Sequence, residues 1–194
     1  VKRKLKSLRA YYKFLNYTYG IPNLMAEENI IGQLKDDAKK IEDNYFTDDE
    51  IKKLFKYIDG LKNDKGYRDR AMLYFLYYTG CRRSEMLNIK WSDIDMIDKT
   101  VRIYRSKTHN WGRVNLHEKV IKEIVRYSDI YGYKSDYVFP KPSDMDSPFD
   151  GNTFYDRFRS LMKRSGVTRT GLSPHSMRHT FVTKTRKLEP RMIQ

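Results

Sequence analysis

The chain has 194 residues, of which 39% are apolar and 14% aromatic, enough for one well-packed core or for one domain with part of another. Thirty-nine Lys and Arg against 25 Asp and Glu leave a formal charge of +14, a surplus that attracts polyanions and makes nucleic acid the leading partner. The longest apolar runs, such as AMLYFLYY, are far shorter than the roughly 20 residues of a membrane span. The single cysteine, Cys81, excludes an internal disulfide and has no companion at zinc-ligand spacing. The expectation is a soluble protein of the reducing cytoplasm, with no export leader, no membrane partner and Cys81 as a small packing residue.

Val1, Leu5, Leu8, Tyr12, Leu15 and Tyr19 alternate in steps of four and three, which predicts a helix up to Tyr19, stopped by Gly20 and Pro22. Its other face carries Lys2, Arg3, Lys6, Arg9 and Lys13, candidates for contact with a nucleic-acid groove or simply a solvated face. A short helix is expected over 25–33 and a linker over 34–45, with a domain boundary near residue 45. TDDE, from Thr47, is a capping box, so Asp48, Asp49 and Glu50 read as first-turn charges opposing the helix dipole. A second helix, expected over 68–79, is apolar on most sides and central to the core, with Gly80 ending it.

After WSDID the period changes to two. TVRIYR and RVNL, joined by SKTHNWG, predict an antiparallel hairpin with Lys107, Thr108, His109 and Asn110 at its tip and Trp111 as either a packing residue or a contact. Helical spacing returns over 117–131. Residues 139–151, with Pro140, Pro142 and Pro148, are expected as a loop, Asn152 as the cap of a helix to about Ser165, and a last helix from Pro174.

Three stretches gather the residue types that phosphate chemistry uses: TGCRRSE (79–85), RSK (105–107) and SPHSMRHTF (173–181). Two arginines can grip the non-bridging oxygens of one phosphate and neutralise a pentacoordinate transition state without a metal. A hairpin lysine can protonate a leaving alkoxide, and a histidine three residues before an arginine shares its helix face.

In order and wording these boxes resemble the tyrosine recombinase and phage-integrase family of Xer-like site-specific recombinases. The resemblance implies an α+β, mainly helical catalytic domain with a small antiparallel hairpin or sheet, over 45–194. Residues 1–44 would then be the end of a helical, SAM-like core-binding domain plus linker. It assigns catalytic roles to Arg82 (rather than Arg83), Lys107, His175 and Arg178, with Glu85 supporting and His179 as a buried orienting residue. Ser106 and Thr108 depart from the glycines that usually flank the family's hairpin lysine.

The implied reaction breaks and rejoins double-stranded DNA through a 3′-phosphotyrosyl link, with no cofactor, metal or ATP, in a tetramer of protomers on paired sites. In the family the nucleophilic tyrosine follows the second arginine, and none of the 16 tyrosines here follows Arg178. The expectation is therefore a fragment of a DNA-recombination or mobile-element integrase that binds DNA but does not itself cleave. A non-catalytic DNA-binding or regulatory module, and a type IB topoisomerase-like enzyme, remain the alternatives.

Overall fold

The computed structural model describes residues 2–22, 44–105, 109–131 and 135–188. The chain divides into two compact units, Val1–Glu42 and Asp43–Gln194. The first contains helix α1, Lys2–Tyr19. Gly20, at φ 66°, ends it where a side chain would be strained, and Asn16 Nδ2 closes the turn on the Ile21 carbonyl at 2.9 Å. The short helix expected over 25–33 lies outside the described residues, as does most of the expected linker.

The second unit is helical with two small antiparallel sheets. Helix α2, Asp48–Asp59, starts with the predicted box: Glu50 N–H donates to Thr47 Oγ1 at 3.3 Å and Thr47 N–H to Glu50 Oε2 at 2.8 Å. Its buried stripe is Ile51, Leu54 and Ile58. Helix α3, Asp64–Thr79, begins four residues earlier than apolar periodicity indicated. Asn63 caps it by accepting from Gly66 N–H at 2.8 Å, so a polar first turn is held by a side-chain cap instead of by core contacts. From Ala71 to Leu76 every residue of α3 is buried, as a central helix requires.

After the short helix α4, Arg83–Leu87, and a 3₁₀ turn at Trp91–Asp93 come strands β1 (Ile94–Asp95), β2 (Thr100–Arg105) and β3 (Asn110–Asn115). They form one sheet in the order β1-β2-β3, all neighbours antiparallel, with Thr100 opposite Asn115 and Arg105 opposite Asn110. The hairpin is thus present but longer than expected, since Asn110, Trp111 and Gly112 belong to a strand and not to the loop. Helix α5 follows at Glu118–Tyr131.

The 139–151 segment is not all loop. Pro140–Lys141 (β4) pairs with Asp144–Pro148 (β5), flanked by buried Phe139 and Phe149, whose backbones bond at 2.8 Å. Two proline-bearing segments can pair here because the pair stands alone, so every strand is an edge strand and proline's missing donor costs little. Helix α6, Gly151–Arg164, is capped by Asp150 and not by Asn152: Asp150 Oδ1 accepts from Thr153 N–H at 2.7 Å. An ionised acceptor at a helix start also meets the dipole, which a neutral amide does not. Helix α7, Pro174–Leu188, starts at the expected proline.

The core is built from Phe46, Leu54, Phe75, Phe139, Phe158 and Met177, each almost fully buried and each large side chain contributing about 2–3 kcal/mol. Cys81 packs among them, 4% exposed, and burial pushes its thiol up to about 12, which removes it as a nucleophile at neutral pH. Among the described residues no helix is long and apolar enough to cross a membrane.

Candidate active site

The end of α3 and the start of α7 meet because of Gly80. Its φ of 60° turns the chain out of α3, and a Cβ there would lie 2.3 Å from Phe181 Cδ1 of α7, so only glycine permits the approach. Across this contact Arg178 Nη1 donates to the Gly80 carbonyl at 2.7 Å. Two residues on, Arg82 occupies the N-cap of α4 in extended conformation, and Arg82 N–H donates to Glu85 Oε2 at 2.7 Å. The other oxygen of the buried Glu85 pairs with the Arg82 guanidinium. One carboxylate therefore fixes both the backbone and the side chain of Arg82, through a charge-assisted bond.

On α7, Ser176 shapes the first turn. Its backbone N–H donates to the Ser173 carbonyl at 2.9 Å and its hydroxyl accepts from Ser173 N–H at 3.0 Å. With Ser176, Met177 and Thr180 buried, His175 and His179 are left on the outward face, their rings edge to face at 4.6 Å. His175 lines a cleft of about 270 Å³ with Arg82, Arg83, Ser84, Tyr155, Ser173 and Pro174. Loss of hydration holds its imidazole below the ordinary histidine value, and the charges of His179, Arg178 and Arg82 push the same way.

Arg82, Arg178, His175, His179 and Glu85 are thus brought together. His179 is exposed and not buried as expected: it is one helical turn from His175, on the same face, and the core side of α7 is already filled. Lys107 and Thr108 lie outside the described residues. His109 is exposed at φ 50°, with its Nδ1 3.4 Å from Tyr104 Oη, and Asn110 opens β3. Trp111 packs on Tyr104 at 5.4 Å, as the packing reading has it, and is 59% exposed. Of the basic face of α1, Lys13 is exposed, and the side chains of Lys2, Arg3, Lys6 and Arg9 lie outside the described set.

Two cleft residues escaped the sequence reading. Arg83 Nη1 donates to the Gly151 carbonyl at 3.0 Å, tying α4 to the start of α6, and Tyr155 comes into the cleft from α6. Neither has a local signal, because each acts across about seventy residues of chain, well beyond any helical or strand period.

Arg82 and His175 therefore line one cleft, and Arg178 is tied beside it to the Gly80 carbonyl. The Phage integrase family model matches residues 44–189, and the chain belongs to that family of tyrosine recombinases. It is similar to tyrosine recombinase XerC of Staphylococcus epidermidis, 30% identical over 196 residues, covering 94% of this chain and 60% of the relative. The chain therefore spans about 60% of the length of such curated relatives. Among solved structures it resembles a XerA recombinase, at a TM-score of 0.64 and 28% identity over 74% of this chain and 51% of that one. The Tn1549 transposon integrase, solved in complex with circular intermediate DNA, shares the fold at a TM-score of 0.76 and 18% identity, over 96% of this chain and 66% of that one.

Proposed function

We propose that this chain supplies the phosphate-gripping part of a site-specific DNA recombinase. Arg82 and Arg178 clamp the scissile phosphate and neutralise the charge that builds in its transition state. His175, kept neutral by its surroundings, moves a proton, while Glu85 holds Arg82 in place and His179 adds polarity beside His175. Lys107, on the hairpin, protonates the leaving oxygen. A tyrosine attacks the phosphorus to leave a 3′-phosphotyrosyl link, which a 5′-hydroxyl of the partner strand displaces, so bond energy is retained without ATP. Duplex DNA and further protomers, four on two paired sites, are the partners of the whole enzyme.

The observation that supports this reading most is geometric: Arg82 and His175 line one cleft, and Arg178, three residues after His175, donates to the carbonyl of Gly80, two residues before Arg82. Those side chains are far apart in sequence, and phosphoryl transfer is the chemistry that uses them at one cleft. The basic α1 face and the tip residues Thr108, His109 and Asn110 are assigned to DNA contact, with α1 as the end of a core-binding domain.

The test has two parts. In a full-length recombinase carrying these residues, Arg178→Ala should raise the cleavage barrier by about 3 kcal/mol or more, and near-normal cleavage sinks the assignment. The 194-residue chain should bind duplex DNA with steep salt dependence yet leave no covalent adduct on a nicked suicide substrate, since no tyrosine follows Arg178. A trapped adduct in a denaturing gel overturns that second statement.

A further inference from the structure

A second cleft, of about 410 Å³, lies between the first turns of α3, the β4–β5 turn and α6. That volume falls in the range of small-ligand pockets. Its floor is Arg68, only 6% exposed, with its guanidinium 4.3 Å above the Phe149 ring. Arg68 Nε is buried and has no hydrogen-bond partner. A buried cationic donor without an acceptor is costly, and the aromatic face offsets only part of that cost.

The nearby carboxylates are already committed. Asp69 takes Arg157 Nε at 2.6 Å. Asp150 Oδ1 accepts from both the backbone and the hydroxyl of Thr153, at 2.7 and 2.8 Å. Lys65 and Lys141, both exposed, stand at the rim, and neither makes an ion pair with a carboxylate among the described residues. Ser143, in the β4–β5 turn, adds a hydroxyl. Set against Asp150, the one carboxylate in the lining, these three cations still leave an excess of positive charge, which with the hydroxyl suits a tetrahedral oxyanion.

We propose that this cleft is a phosphate-binding site, in which Arg68, Lys65, Lys141 and Ser143 take a phosphate group borne either by a small phosphorylated molecule or by a nucleic-acid backbone. It is separate from the Arg82 cleft. Tyr155 of α6 faces that cleft while Thr153 and Arg157 face this one, so the two lie on opposite sides of the same helix. Along α3, Arg68 precedes Gly80 by twelve residues, about 18 Å at the helical rise. The proposal does not depend on the recombination reading.

The test measures binding of inorganic pyrophosphate, and separately of a short DNA duplex, to the 194-residue chain in an Arg82→Gln background that weakens the other cleft. Adding Lys65→Ser and Lys141→Ser, both surface changes, should weaken pyrophosphate binding roughly tenfold. A roughly tenfold loss confined to the duplex supports the same phosphate chemistry with a nucleic-acid strand as its source. Arg68→Met should abolish the rise in melting temperature that pyrophosphate gives, and if that variant does not fold, the surface pair carries the test alone. Unchanged affinity for both probes overturns the site. Citrate bound as tightly as pyrophosphate, and lost with the same two lysines, overturns its assignment to phosphate.

Discussion

Arginines in the second unit fall into two groups that differ in what holds them. Arg70, Arg157 and Arg169 each close on a carboxylate of another element: Glu123 at 2.5 Å, Asp69 at 2.6 Å and Glu50 at 2.7 Å. Arg82 and Arg178 are held close to home or by a backbone oxygen, one on Glu85 three residues away and the other on the Gly80 carbonyl. Each, among the described residues, donates from its guanidinium through a single terminal nitrogen, which leaves further donors of a five-donor fork uncommitted, and Arg82 lines the His175 cleft. Residue type is the same in both groups. What separates the two groups is the tie: the first closes on carboxylates across elements, whereas Arg82 gives a terminal nitrogen to a carboxylate of its own helix start and Arg178 gives one to a backbone oxygen.

The largest expected effect lies in the first group. Arg70 and Glu123 join α3 to α5 with side chains 5% and 11% exposed, and the 2.5 Å approach lacks aligned hydrogen-bond geometry, so the pair is held by charge in a dry place. Glu123→Ala leaves the Arg70 cation buried and unpaired and should cost about 3–5 kcal/mol in urea unfolding. Replacing both residues with apolar side chains of similar volume should recover most of that loss. A cost below about 1 kcal/mol for the single change would put Arg70 with the second group and erase the distinction.

The two groups were not equally legible in the sequence. TGCRRSE and SPHSMR could be read because their signals are local: a glycine stop, a carboxylate three residues after an arginine, a histidine three residues before one. The Thr47 cap was visible for the same reason. Arg169 with Glu50 spans 119 residues and Arg157 with Asp69 spans 88, distances over which no periodicity carries information. The same limit hid Tyr155 and the Arg83 contact to Gly151. Elsewhere the reading failed through competition between neighbours: Asp150 outbid Asn152 for a cap, and two buried phenylalanines pulled a proline-rich loop into a strand pair. His179 was expected inside because the resemblance suggested it, whereas helical geometry alone sets it beside His175 on the open face.

The Glu50–Arg169 pair sharpens the comparison through pH. The hydrogen bond from Arg169 outweighs the opposing effect of burial, and with help from Thr47 brings the Glu50 carboxyl from 4.5 to about 2. A carboxylate depressed in the folded state stabilises the fold above its unfolded value, and that stabilisation disappears as pH falls from about 4.5 toward 2. Partly solvated pairs of this kind are worth about 1 kcal/mol. Glu50→Gln should therefore be less stable than the parent by that amount at pH 6, with the gap closing as the pH reaches 2. A gap independent of pH would mean that Arg169 is held by the Tyr45 carbonyl, which it also reaches at 2.5 Å, and not by charge.

Arg178→Gln should have an equally small effect on stability and the clearest effect on the His175 imidazole. The substitution gives up one hydrogen bond to a carbonyl, about 1 kcal/mol, because no buried carboxylate is orphaned by it. It also removes one of the cations that act on His175, so the imidazole should titrate at higher pH than in the parent, moving toward the ordinary histidine value. Dehydration and the His179 charge remain, so the return should be partial. Proton NMR of the His175 ring through a pH series reads this directly. An unmoved titration would separate Arg178 from the imidazole, and a stability loss as large as that of Glu123→Ala would make it a structural arginine. Either result counts against Arg178 as the partner of Arg82 beside His175, and without that partner Arg82 can still hold an anion but cannot grip a phosphate together with a guanidinium from α7.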